Sequence, residues 1–113
     1  MIEQTIYNFL TVRAPFPVYM EVPEGGGTPP FGVIEKTGGG VIDGHVWSAT
    51  LAVQSYGATL LEAAQTNELV KGLMAEALAL PSVTRCRLNS DYNYTDTTKK
   101  QYRYQAVFDI IHY

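Results

Sequence analysis

The sequence predicts an α+β domain: a mixed or antiparallel β-sheet of about five strands, packed by one long central helix and a short N-terminal helix, in the order α-β-β-β-α-β-β. Three observations carry this. Thr59–Leu80 is rich in Leu and Ala and has helical periodicity. His45–Gln54 and Gln101–Tyr113 alternate as strands do. Gly- and Pro-rich stretches separate these runs. At 113 residues the chain reads as one domain, 1–113, able to bury a core without disulfide staples.

In chain order, Ile2–Val12 is a short helix with Ile2, Ile6, Phe9 and Leu10 on one side, and Pro15 and Pro17 end it. Its polar and β-branched positions make it dependent on packing. Val18–Val22 alternates, with Val18, Met20 and Val22 expected inward. Pro23–Pro30 is a loop. Phe31–Thr37 is extended, and Gly38-Gly39-Gly40 is expected to turn the chain. His45–Gln54 is the clearest strand, with His45, Trp47, Ala49, Leu51 and Val53 on one face and Ser48, Thr50 and Gln54 on the other.

The central helix opens on Thr59-Leu60-Leu61-Glu62, the pattern of a capping box, and Pro81 is its expected stop. Leu60, Ala63, Val70, Leu73, Met74, Ala77 and Leu78 form its apolar side, bordered by Asn67 and Lys71. Leu61 and Leu69 fall among the acids opposite, which leaves them for the N-terminal helix or another subunit. Val83–Asn89 is a strand, Ser90–Lys100 a polar loop, and Gln101–Tyr113 a long last strand with Tyr102, Tyr104, Ala106, Phe108 and Ile110 on one face. Strands 2 and 3, and strands 4 and 5, read as hairpins.

Composition narrows the function. Charged residues are 17%, against about 25% in a typical domain. With eight tyrosines, this suits a surface partly covered by a partner. The net charge of −3 argues against a protein whose main task is gripping nucleic acid. The lone Cys86 excludes an internal disulfide and fits a small buried hydrophobe in a reducing cytoplasm. The N-terminus lacks the pattern of a signal peptide, and no apolar stretch is long enough for a membrane helix.

Catalytic chemistry finds little support. The Gly triplets run into Pro-Pro and into a strand, so they lack the context of a phosphate loop. His45 and His112 have no neighbouring ligands at zinc spacing. Asp91–Asp96 lacks the Gly and terminal Glu of a calcium loop. No nucleophile motif accompanies Cys86. The expectation is a non-enzymatic protein without metal or cofactor. Arg85, Arg87, Lys99, Lys100 and Arg103 gather near the last hairpin. The simpler reading is charge pairing with Asp91, Asp96 and Asp109 across strands; the sharper one is contact with a neighbouring subunit or passing DNA.

A short amphipathic helix precedes the Pro-flanked Pro17-Val18-Tyr19-Met20-Glu21-Val22-Pro23. Then come Val53-Gln54-Ser55-Tyr56, the helix start Thr59-Leu60-Leu61-Glu62-Ala63, the hairpin Asp91-Tyr92-Asn93-Tyr94-Thr95-Asp96-Thr97, and the strand Tyr102–Ile110. Over almost its whole length this pattern resembles the tail terminator or tail-completion proteins of long-tailed bacteriophages and prophages. Head–tail joining (neck) proteins look similar at this level. The resemblance implies a virion protein, assembled in the host cytoplasm, that forms a ring, typically a hexamer. Such a ring caps the tail tube, docks onto the head connector and passes DNA through its lumen without reading its sequence. A ring needs two different patches per subunit. The expected patches are the hairpin tip (Asp91, Tyr92, Tyr94, Asp96, Lys99, Lys100, Arg103) and the outer side of the helix (Leu61, Leu69). A different class remains open: a cytoplasmic adaptor or ligand-binding module using Trp47 and the tyrosines.

Overall fold

A computed structural model describes residues 1–113. Its elements are α1 (Ile2–Arg13), β1 (Val18–Tyr19), β2 (Phe31–Asp43), β3 (Val46–Gly57), α2 (Leu60–Met74), β4 (Val83–Asn93) and β5 (Tyr102–His112). The five strands form one mixed sheet in the order β1-β2-β3-β5-β4. Only β1 pairs in parallel; the other three pairings are antiparallel. The architecture is the α+β one that the sequence predicts.

Both helices pack on one face. The core joins Ile2, Ile6, Phe9 and Leu10 of α1 and Val70 and Met74 of α2 to Ile34, Ala49, Leu51, Val53, Ala106, Phe108 and Ile110 of the sheet. Each fully buried aliphatic side chain here contributes about 1.5–3 kcal/mol. The predicted inward side of α1 is therefore the buried one, and on the expected face of the last strand Ala106, Phe108 and Ile110 are buried while Tyr102 and Tyr104 are half-buried.

Several local expectations are corrected. The central helix ends at Met74, not Leu80. The Glu76 N–H bonds back three residues to the Leu73 carbonyl, and a separate 3₁₀ turn at Ala77–Ala79 follows. This tightening buries Ala77 and brings the chain to the outer strand β4, where a straight helix would carry it away. The buried stripe keeps its direction but is narrower, at Ala63, Thr66, Asn67, Val70 and Met74; Leu60 at its margin and Leu78, beyond the helix end, are exposed. The start of α2 lies close against the end of β3: a Cβ on Gly57 would lie 2.3 Å from the Ala63 nitrogen. The cap is half as expected. Thr59 Oγ1 accepts from the Glu62 N–H at 3.1 Å, but Glu62 Oε1 reaches the Ala58 N–H at 2.7 Å, one residue before the cap.

In the sheet, β1 keeps only Val18–Tyr19, so Met20 and Val22 lie exposed at 46% and 43% rather than inward. The glycine triplet does not turn the chain. It continues β2, Gly38, Gly39 and Gly40 pairing with Thr50, Ala49 and Ser48, and the turn comes at Gly44, whose φ of 47° suits glycine. His45 therefore sits in a turn, and β3 runs on to Gly57. Trp47, the second residue of β3, is half exposed. The polar loop Ser90–Lys100 is shorter than expected: β4 continues to Asn93, and the tip is the turn closed by the Asp96–Gln101 bridge, with Lys100 at φ 52°.

Candidate assembly interface

The expected interface residues fall in four places. Leu61 and Leu69 stand on the outward side of α2 at 67% and 50% exposure, outside the buried core. Eight residues apart, they lie about 12 Å from each other along the helix and about 80° apart around it, on the same outward half.

Asp91 does not belong to the hairpin tip. It faces the helix side of β4, where Lys71 Nζ lies 3.1 Å from its Oδ2 and 2.9 Å from Glu68 Oε1. Hydrogen bonds to Glu68 and Asp91 raise the Lys71 pKa. The pair ties α2 to β4. These are the two ion pairs of the molecule, so the predicted pairing of the last hairpin's basic residues with Asp91, Asp96 and Asp109 is not formed. Asp109 accepts from Asn89 Nδ2 at 2.9 Å, and Asp96 Oδ1 accepts the Thr98 and Lys99 N–H groups, folding the tip as an Asx turn.

Tyr92, Tyr94 and Arg103 meet on the helix-free face. Arg103 Nε donates to the Tyr94 carbonyl at 2.6 Å, its Nη1 donates to the Tyr56 hydroxyl at 3.2 Å, and its guanidinium lies 4.6 Å from the Tyr94 ring centroid. Tyr92 and Tyr94 make an edge contact at 5.9 Å. Such a guanidinium, held by two oxygens and a ring face, is ordered before any partner arrives.

Sequence reasoning missed the rest of this face. Gln54 Nε2 donates to Gln105 Oε1 at 2.6 Å and more weakly to Glu35 Oε1 at 3.4 Å, and Gln105 Nε2 donates to the Tyr92 hydroxyl. A polar ladder thus crosses β2, β3, β5 and β4. Beside it Phe31 stacks on Tyr56 with centroids 4.5 Å apart, and Tyr19 meets Phe31 edge-on. Gln54 and Gln105 are buried here, although alternation alone assigns their face to solvent. The signal available in sequence was the aromatic residues Phe31, Tyr56 and Tyr92, which the pairing places on the same face as the two amides.

Lys99 and Lys100, free of ion pairs, line a groove of about 400 Å³ with Gly26, Gly27 and Pro29 of the loop after β1. A second groove of about 400 Å³ on the helix-free face runs between Ile42, Ser48 and Thr50 on one side and Arg85, Arg87 and Asp109 on the other. Burial pushes the Cys86 thiol up to about 11, which keeps it protonated near neutral pH. No helix is long and apolar enough to cross a membrane. No protein-family model matches the chain, and no curated protein matches it.

Proposed function

We propose that this chain is a structural virion protein of a long-tailed phage or prophage, a tail terminator or tail-completion protein. In this reading copies join head to tail into a ring, of six in the family it resembles. The ring stops growth of the tail tube and offers a surface to the head connector, while the genome passes through the lumen. The observation that carries the reading is that one subunit presents unlike, uncovered surfaces on different sides: the outward half of α2 with Leu61 and Leu69, and the Tyr92–Tyr94–Arg103 cluster with the lysine-bearing tip on the hairpin. Unlike patches on one protomer are what a closed cyclic assembly requires. The α+β order and the resemblance of the sequence pattern support the same conclusion.

The test is to add the purified protein to a polymerising tail-tube protein and measure tube lengths by electron microscopy. Capping shortens the distribution in proportion to the protein added and places extra density at one tube end. Tubes of unchanged length with bare ends would refute the reading.

A further inference from the structure

We propose that β2 and β4 are the two halves of one strand-addition interface, the outer edge of β2 in one subunit pairing antiparallel with the outer edge of β4 in a second copy. This rests on the head-to-tail assembly proposed above, and it adds a pair of sheet edges to the surfaces that take part. β1 covers β2 only at Gly32 and Val33, so the edge from Ile34 to Asp43 has no strand beside it. β4 is the last strand on the other side and is open from Val83 to Asn93. Natural sheets usually blunt such edges with proline, projecting lysines or very short strands. β2 has no proline. Its one lysine, Lys36, lies back along its own strand, with its Cε only 2.9 Å from where a Gly39 Cβ would be. Bulges at Thr37 and Ile42 coil the edge without covering it.

The sense of the strands selects the occupant. β2 is antiparallel to β3, β3 to β5, and β5 to β4. β4 therefore runs opposite to β2, and a second copy set side by side presents its β4 antiparallel to β2 with no inversion. Following the rows of the sheet across, Gly38, Thr50, Asp109 and Arg87 are in register, as are Gly40, Ser48, Ile111 and Arg85. A level continuation sets Arg87 and Arg85 of the second copy beside Gly38 and Gly40, where no side chains stand in the way. The carboxylates of Glu35 and Asp43 lie on the same face, one at each end of this glycine floor. Neither arginine has an ion-pair partner within its own subunit. Cross-strand and diagonal neighbours are the positions at which such opposite charges interact.

Charge exchange in the full-length protein tests this, read by sedimentation velocity over a concentration series at low salt. The wild type should self-associate. Glu35→Arg and Arg87→Glu should each raise the concentration for half-assembly roughly tenfold or more, because like charges then become diagonal neighbours across the pairing. The double variant should recover wild-type assembly, which a misfolded chain cannot do, and circular dichroism should be unchanged throughout. A wild type that remains monomeric, single variants that assemble normally, or a double variant without recovery would each overturn the pairing. Tube capping is scored separately, so the edge pairing can fail while the tail-terminator reading stands.

Discussion

Replacing Gly57 by alanine should destabilise the fold severely, while the same change at Gly72 should stabilise it. At Gly57 the added Cβ would lie 2.3 Å from the Ala63 nitrogen, 2.8 Å from its Cα and 2.8 Å from the Glu62 carbonyl carbon. All three are backbone atoms, so no side-chain rotation relieves the overlap and the first turn of α2 must move by about an ångström, given ordinary contact distances of about 3.5–4.0 Å. Overpacking of this kind costs about 1–3 kcal/mol. Moving the turn also disturbs the Thr59 cap, worth about 1 kcal/mol. The sum, about 2–4 kcal/mol, is a large part of a stability of about 5–15 kcal/mol. At Gly72 an added Cβ meets nothing within 4 Å, on the exposed side of α2. There alanine should add about 0.5–1 kcal/mol by its helix propensity. Urea unfolding of both variants measures the two values on one scale. Shifts of the same sign, or a Gly57→Ala loss below about 1 kcal/mol, would refute the close contact between α2 and β3.

Leu69→Glu should weaken ring formation without unfolding the monomer, since exposed substitutions usually stay within about 0.5 kcal/mol; an unchanged oligomer in light scattering would remove that helix face from the interface. Ser55 Oγ is fully buried without a hydrogen-bond partner, so Ser55→Ala should raise stability, by up to about 1–3 kcal/mol if the whole desolvation penalty is recovered; a lower urea midpoint would show that the hydroxyl is satisfied. Cys86 binds its proton more tightly folded than unfolded, with a pKa of about 11 against the ordinary 9.0. Its contribution to stability is complete below pH 9 and declines as pH rises toward 11, because the unfolded chain ionises first. Denaturation midpoints of the wild type and Cys86→Ala compared between these limits should show the wild type losing more stability.

What could be read from the chain alone is whatever depends on neighbours along it. The apolar side of α1, the alternation of β3 and β5 and the Thr59 cap are short-range patterns, and the α+β class follows from their order. So does the outward position of Leu61 and Leu69, which stand among acids on a helix whose opposite side must be buried. The rest was decided between elements. Gly38–Gly40 looks like a turn until β3 supplies partners for it, and backbone pairing then holds glycine in a strand. Asp91 looks like a tip residue until Lys71 approaches from α2. Asn67 only borders the apolar stripe and Gln105 lies on a polar face in the sequence, and packing between elements buries both. Local preferences are worth tenths of a kilocalorie per residue, whereas burial and close contact are worth several kilocalories each. Where the two disagreed, the tertiary structure prevailed, and it alone determined which edges and faces of this domain remain open.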